Sequence, residues 1–297
     1  MTSPADNKLL DTTEVPLAWA RQDIEQRLAF RGGKFTRVNL LLSGLFALAL
    51  TIIFYGILAV CQRYQVYALA RLGESFIERG PLPYPTVFFS AWALVILFIK
   101  SRKLAYQKRA LQYQVVPLAH DFVLSPATVD VVMDNIHSTV DDPKHFVIFN
   151  RIMVALSNLR NLGEVGDVDD ILRSQADHDE SGMETSYAMI GAFVWAIPVL
   201  GFIGTVQGLS QAIGQFASVL QSTAELDQIK TALQGVTGGL ATAFETTFQA
   251  LVLALVIQLL LVYTKKSEEE FLDDCGGYCL KYVVNKLRIM PFQAEQI

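Results

Sequence analysis

Long apolar stretches without charge alternate with polar segments along this chain of 297 residues. Residues 38–62, 80–99 and 185–224 carry no charged side chain, and residues 231–264 carry only one, Glu245. Each stretch reaches the roughly 20 residues that an α-helix needs to span a bilayer. The pattern therefore predicts an all-α integral membrane protein with four transmembrane helices.

The polar segments divide the chain into five parts. Residues 1–37 are expected to form a tail followed by an amphipathic helix, and residues 38–100 a transmembrane hairpin of two spans. Residues 101–186 place apolar side chains at helical spacing, which predicts a helical cytoplasmic domain. Residues 187–264 hold the third and fourth spans, and residues 265–297 are expected to form a C-terminal cytoplasmic helix.

Within the cytoplasmic domain, glycines and acidic residues predict a break in the helical pattern. Gly163 and Gly166 interrupt the apolar periodicity, and a short helix is expected to resume at Val168. We expect the domain to be continuous with the third and fourth spans, extended beyond the bilayer.

Lysine and arginine residues indicate which flanks of the spans are cytoplasmic. Residues 21–37 before the first span carry five, residues 100–109 after the second carry five and residues 265–266 after the fourth carry two, whereas the loops at 63–79 and 215–235 carry three and one. Both chain termini are therefore predicted to be cytoplasmic. The first apolar stretch begins far from the initial methionine, so no secretory signal peptide is expected.

Composition supports a membrane protein and points away from several other classes. The chain is 52% hydrophobic and 18% charged, against about 25% charged residues in a typical soluble domain. A net charge of −5 without a basic patch gives no reason to expect nucleic-acid binding. The histidines lack ligand spacing, and Cys275 and Cys279 suit one helical face better than a zinc site. We expect no metal, no cofactor and no enzymatic activity.

Glu245 is the most conspicuous residue of the fourth span. A charged group at that depth costs roughly 2–3 kcal/mol and marks a candidate functional site; alternatively, it serves only as a packing contact with a neighbouring helix. Two stripes of non-lipid side chains run along opposite faces of this helix, which favours contact on both sides, as in a ring-forming subunit. One stripe is Gly238, Thr242, Glu245 and Gln249, and the other is Ala243, Thr247, Ala250 and Ala254.

The third span carries small residues on one face, which predicts close packing against another helix. These residues are Gly201, Gly204, Thr205, Gly208 and Ala212.

Pro198 removes a backbone donor and is expected to kink the third span near Val194. At 1.5 Å per residue, Thr205 and Glu245 each lie about 12 Å from the predicted outer boundary, with Thr247 slightly deeper. Hydroxyls and a carboxylate at similar depth suggest an ion path.

Residues 196–212 and 239–256 resemble the paired signature helices of the MotA/TolQ/ExbB proton-channel family. The motifs that carry this resemblance are G-x-x-G-T-V-x-G-L in the first of these helices and A-F-[DE]-T-T in the second. The resemblance implies a homopentameric ring in the bacterial inner membrane around two copies of a single-span MotB/TolR/ExbD-type partner. The partner's membrane aspartate would bind the proton, and ion flow would drive rotation. In the ExbB/TolQ branch a threonine of each signature helix faces the pore, at the positions of Thr205 and Thr247.

The chain also departs from both branches of the family. ExbB and TolQ have three spans, whereas four are predicted here with an N-terminal hairpin as in MotA; MotA lacks the threonine at the position of Thr205. The ExbB glutamate would align near Thr242, so Glu245 is interpreted as a relay or a subunit-interface residue. Sodium remains an alternative to the proton, and the powered machine is open among flagellum, envelope transport, gliding and defence.

Two other functional classes are weighed against the channel. One is a non-channel membrane scaffold that anchors a cytoplasmic helical interaction domain. The other is a secondary transporter, which is disfavoured because the four spans show no inverted repeat.

Overall fold

The computed structural model describes residues 16–28, 30, 32–64, 73–119, 122–162, 167–220 and 226–287. Helices dominate these residues: α1 Trp19–Gln22, α2 Ile24–Arg27, α3 Leu40–Arg63, α4 (residues 73–77), α5 Pro83–Ala110, α6 Val129–Thr139, α7 Val147–Leu162, α8 Asp167–Leu220 and α9 Leu226–Tyr282. Short 3₁₀ turns cover Pro143–His145 and Val284–Lys286. The extended pairing found in the described residues is limited to two isolated bridges, Leu17 with Val140 and Leu124 with Leu287.

Four of these helices, α3, α5, α8 and α9, are long and apolar enough to cross a membrane. The prediction of an all-α protein with four membrane-spanning helices is therefore confirmed at the level of length and composition. The physical reason is that a helix satisfies all its backbone hydrogen bonds internally, as the bilayer requires.

The predicted short helix at Val168 is wrong, because these residues form the first turn of α8, which continues to Leu220 without interruption. That first turn contains Asp167, Asp169 and Asp170. Their negative charges stabilise the helix by interacting favourably with the positive end of its dipole. The break predicted at Gly163 and Gly166 lies outside the described residues.

The C-terminal segment continues the fourth span. Helix α9 runs from Leu226 to Tyr282, so residues 265–282 extend that helix and do not start a new one. Residues 288–297, including the expected end of the helix, lie outside the described part of the chain.

The amphipathic helix expected before the first span is replaced by two single turns, α1 and α2. Asp23 ends α1 and caps α2, where its carboxylate accepts a hydrogen bond from the Glu25 N–H at 3.1 Å. The Glu25 side chain is fully buried, and its carboxylate accepts hydrogen bonds from Lys103 Nζ at 2.7 Å and from the Asn39 N–H at 2.7 Å. These long-range bonds outweigh the local helical pattern. The expected tail at residues 1–15 lies outside the described residues.

The chain forms two compact units. One, called the charged unit below, combines residues 1–39, 100–185 and 266–297; the other, called the membrane unit, combines residues 40–99 and 186–265. Both α8 and α9 contribute to each unit, because each helix is longer than a bilayer span.

The charged unit has an aromatic core and a set of buried ion pairs. Trp19 packs against Tyr106 and Phe146 with ring centroids 5.8 and 5.3 Å apart. The ion pairs include Lys100–Glu268 at 3.0 Å, Lys103–Glu25 at 2.7 Å, Lys103–Asp23 at 3.5 Å and Arg151–Asp179 at 2.6 Å. Buried charges of this kind require a partner, because an unpaired one is strongly destabilising.

In the membrane unit, Trp92 of α5 joins α3 to α8. Its indole Nε1 donates to Ser43 Oγ at 3.0 Å, and its ring lies 5.0 Å from that of Phe193. Gly44 of α3 faces the same indole, where a methyl group would lie 3.1 Å from the ring. Large apolar side chains on the rest of α3, such as Leu41 and Ile52, are exposed, as expected for a surface that lipid covers.

Candidate functional site

Helices α8 and α9 approach each other through glycine. A methyl group at Gly208 would lie 2.6 Å from the carbonyl oxygen of Gly239, and one at Gly239 would lie 2.8 Å from the carbonyl oxygen of Gly208. A methyl group at Gly201 would likewise lie 2.6 Å from Ala250 Cβ. These distances are shorter than van der Waals contact. The close crossing of the two helices therefore depends on glycine, which has no side chain, at these positions.

Two threonine hydroxyls meet inside this crossing. Thr205 of α8 and Thr247 of α9 share a hydrogen bond between their Oγ1 atoms, and both residues are half-buried. The Thr247 hydroxyl also donates to the Gly201 carbonyl oxygen at 2.8 Å. If Thr247 donates its single proton to that carbonyl, Thr205 must donate to Thr247, which forms a short directional chain of hydroxyls.

Thr246 is a third hydroxyl at the crossing, which the sequence reasoning did not single out. It is 4% exposed and donates to the Thr242 carbonyl oxygen at 2.9 Å within α9. A methyl group at Gly204 would lie 2.9 Å from Thr246 Cβ, so Gly204 makes room for this side chain. Of the two adjacent threonines of the motif, Thr246 therefore contacts Gly204 of α8, and Thr247 contacts Gly201.

Glu245 does not join the threonines; it forms an ion pair with Arg79. Arg79 Nε donates to Glu245 Oε2 at 2.8 Å and Arg79 Nη2 donates to Oε1 at 3.1 Å. Ser75 Oγ donates to Oε2 at 3.0 Å, and Gln249 Nε2 donates to the Ser75 carbonyl oxygen at 3.1 Å. The side chains of Arg79 and Glu245 are 22% and 36% exposed. The carboxylate therefore accepts three hydrogen bonds from two residues of the same chain.

The two non-lipid stripes of α9 both find contacts within this chain. The stripe with Ala243, Thr247 and Ala250 packs on α8, and the stripe with Glu245 and Gln249 contacts residues 75–79. A contact with a sister subunit, as expected from the sequence, is therefore not needed to explain either stripe. Arg79 and Ser75 were missed as partners, although a membrane carboxylate without a charged neighbour in its own span signals a counter-ion elsewhere.

Pro198 lies inside α8, which remains helical on both sides of it. The kink expected near Val194 remains a prediction. Among the described residues, no group of three or more histidine, cysteine, aspartate or glutamate side chains is placed to hold a metal ion. The cysteines Cys61, Cys275 and Cys279 are free thiols.

An exposed polar stripe lies on α8 beside the crossing. Gln207, Ser210 and Gln211 are exposed, and their side chains make no hydrogen bond within the described part of the chain. Polar side chains of this kind are expensive to place in lipid, and they favour a surface that faces water or another protein.

Comparison with known proteins gives one match. Residues 147–274 match the sequence model of the MotA/TolQ/ExbB proton channel family, a range that contains the glycines, the threonines and Glu245. Among curated proteins and solved structures, none matches the chain.

Proposed function

We propose, from the premise that this chain belongs to the MotA/TolQ/ExbB proton channel family, that it is the ion-conducting ring subunit of a membrane-potential-driven motor or energiser. Membership makes the chain a multi-pass membrane subunit of the channel and energiser type, a family of channels and not of enzymes. The proposal adds a pentameric ring in the bacterial inner membrane with both termini cytoplasmic. The transported ion is the proton.

The hydroxyl pair of Thr205 and Thr247 is the observation that carries the proposal. It lies at the crossing of α8 and α9, where glycines let the helices approach closely enough for the two hydroxyls to form a hydrogen bond. A hydroxyl both donates and accepts a hydrogen bond, so each threonine can take part in a hydrogen-bonded chain along a water-lined path without carrying charge itself. In this scheme a partner of the MotB/TolR/ExbD type supplies the aspartate that is protonated.

The exposed stripe of Gln207, Ser210 and Gln211 supports the same arrangement. Amide and hydroxyl groups on the outside of a single subunit become favourable once the ring encloses water and the partner's helix. A scaffold without a channel would need another protein to cover these side chains.

Proton flux tests the proposal. The chain and its single-span partner, reconstituted in vesicles with a pH-sensitive dye, would be compared as wild type, Thr205→Val, Thr247→Val and Thr247→Ser. We expect each valine variant to conduct about tenfold less, because loss of one hydrogen bond to the moving proton costs on the order of 1.4 kcal/mol. The serine variant retains its hydroxyl and serves as the matched control.

The results separate the channel from a packing role. Valine fills the volume of threonine, so a fall in flux without a fall in thermal stability supports the ion path. Flux equal to wild type in both valine variants would remove the threonines from the path, and no flux in wild type with its partner would favour the scaffold.

A further inference from the structure

The charged unit contains a cavity of about 520 Å³ that the proposed channel does not use. It lies among the loop that precedes α3, helix α7, residues 175–183 of α8 and residues 268–272 of α9. A cavity of this volume is within the range of small-molecule sites, roughly 300–1,000 Å³.

Five polar side chains line this cavity without a hydrogen-bond partner in the described part of the chain: Lys34, Arg37, Asn150, Gln175 and His178. Two are cationic side chains, one is an imidazole, and two are amides that can donate. All five can present N–H groups to the same ligand.

The acidic residues of the cavity wall are already neutralised. Asp179 pairs with Arg151 at 2.6 Å, and Glu268 pairs with Lys100 at 3.0 Å. Both pairs are buried, and their cations do not line the cavity. The charge that remains for a ligand is therefore positive and comes from Lys34 and Arg37.

The loop that carries these two cations is held in a fixed, strained conformation. The buried Glu25 carboxylate accepts from the Gly33 N–H at 3.1 Å and from the Asn39 N–H at 2.7 Å, so one side chain fastens both ends of the loop. Between them Phe35 adopts φ 57°, a left-handed conformation that is rare for an aromatic residue. Backbone strain of this kind, costing of order 1–3 kcal/mol, is concentrated at binding sites.

Gly182 completes the cavity on the side of α8. A methyl group there would lie 2.9 Å from Arg37 Nη2 and would touch no other residue closely. The absent side chain therefore leaves room for the Arg37 guanidinium, the group best suited to bind a phosphate with two parallel hydrogen bonds.

We propose that this cavity binds a phosphate-bearing anion through Lys34 and Arg37, with the two amides and His178 as further donors. The phosphate belongs either to a soluble phosphoester or to a phospholipid headgroup, since Arg37 lies three residues before the first spanning helix. The site does not depend on ion conduction.

Binding is tested with the full-length protein in phosphatidylcholine nanodiscs. Inorganic pyrophosphate is titrated by calorimetry in one arm. In the other, phosphatidylglycerol is added to the nanodiscs and its retention is measured by native mass spectrometry. Saturable binding of pyrophosphate alone indicates a soluble ligand, and binding of phosphatidylglycerol alone indicates a headgroup. Binding of both indicates recognition of the phosphate itself.

The double variant Lys34→Gln/Arg37→Gln is expected to bind at least about tenfold more weakly than wild type, as expected for lost charge-assisted hydrogen bonds. Arg102→Gln/Lys266→Gln removes the same charge from exposed positions outside the cavity and is expected to bind like wild type.

A second variant fills the cavity without changing its charge. Gly182→Leu is expected to weaken binding as strongly, whereas Gly277→Leu, at an open position of α9, is expected to have no effect. Gly182→Leu still tests the cavity as the binding site if the double variant fails to fold. The leucine variant is expected to fold because leucine has a higher helix propensity than glycine. Absence of saturable binding for both probes, or equal weakening in both charge variants, would overturn the proposal.

Discussion

Glu245 is the one charged residue of the apolar span at residues 231–264, and its neighbours define its role more closely than its position does. The carboxylate receives a two-pronged contact from Arg79 and a third bond from Ser75. A proton relay needs a carboxylate that changes its partner or its charge, whereas an ion pair keeps both. At the residue scale, we propose that Glu245 acts as the counter-ion that holds residues 75–79 against α9.

A double-mutant cycle tests this ion pair. We expect Glu245→Gln and Arg79→Gln each to lower the thermal stability of the membrane unit, and the double variant to lose less than the sum. The coupling is expected to be about 1 kcal/mol, because both side chains are partly exposed. Glu78→Gln, at an exposed acid beside Arg79, is the control and should be neutral.

The same variants distinguish the ion pair from a relay. If Glu245 carries protons, Glu245→Gln abolishes flux while Arg79→Gln does not, and the ion-pair interpretation is wrong. If the two residues act as a pair, both single variants change flux in the same direction and to a similar extent.

At the scale of elements, α8 and α9 are matched by their glycines. Gly201, Gly204 and Gly208 on α8 each face a bulkier group or the backbone of α9, so the hydroxyls of Thr205 and Thr247 meet only because the helices come this close. Other glycines of α8, such as Gly214, face open space and have no such role. Glycines of one helix can therefore differ sharply in the cost of substitution.

Alanine at these two kinds of glycine is expected to have opposite effects. Gly208→Ala places a methyl group 2.6 Å from the Gly239 carbonyl oxygen and should destabilise the membrane unit by about 1–3 kcal/mol. Gly214→Ala meets nothing within 4 Å and should be neutral or stabilise by up to about 1 kcal/mol. Thermal unfolding in nanodiscs measures both, and an equal loss in the two variants would show that helix packing is not the cause.

At the scale of the whole molecule, the chain divides into two units with different chemistry. The charged unit is held by a packed aromatic core and by ion pairs that are almost completely buried. The membrane unit keeps large apolar side chains on its outside and polar side chains at the α8–α9 crossing and on one stripe of α8. A single copy thus exposes both apolar surface for lipid and amide groups that lipid does not satisfy.

Assembly into a ring would place those amide groups against water and the partner. We expect native mass spectrometry in mild detergent to give a species of about five times the 32.9 kDa chain mass, with two partner chains when the partner is co-expressed. A chain that remains monomeric under these conditions would contradict the ring. Gln207→Leu/Gln211→Leu is expected to insert and fold but to conduct less, which separates assembly from conduction.

The number and order of the spanning helices, and the pairing of two hydroxyl-bearing motifs, follow from the sequence alone. Hydropathy is a local property, and the bilayer allows a long apolar segment few structures other than a helix. The meeting of Thr205 and Thr247 could be anticipated for two reasons. The depth of a residue in a spanning helix follows from its position in the sequence, at 1.5 Å per residue, and small residues mark the face that packs against another helix. In the structure, these two hydroxyls form a hydrogen bond with each other.

Only the tertiary structure decided the rest, because it depends on pairs of residues that are far apart in the chain. Arg79 finds Glu245 across 166 positions, and Lys103 finds Glu25 across 78, the latter replacing a predicted amphipathic helix with two turns. Hydropathy and helical periodicity cannot reveal such partners, since a charge looks the same in sequence whether it is solvated or paired. The cavity beside Arg37 has the same origin, because its walls come from four segments spread between residues 34 and 272.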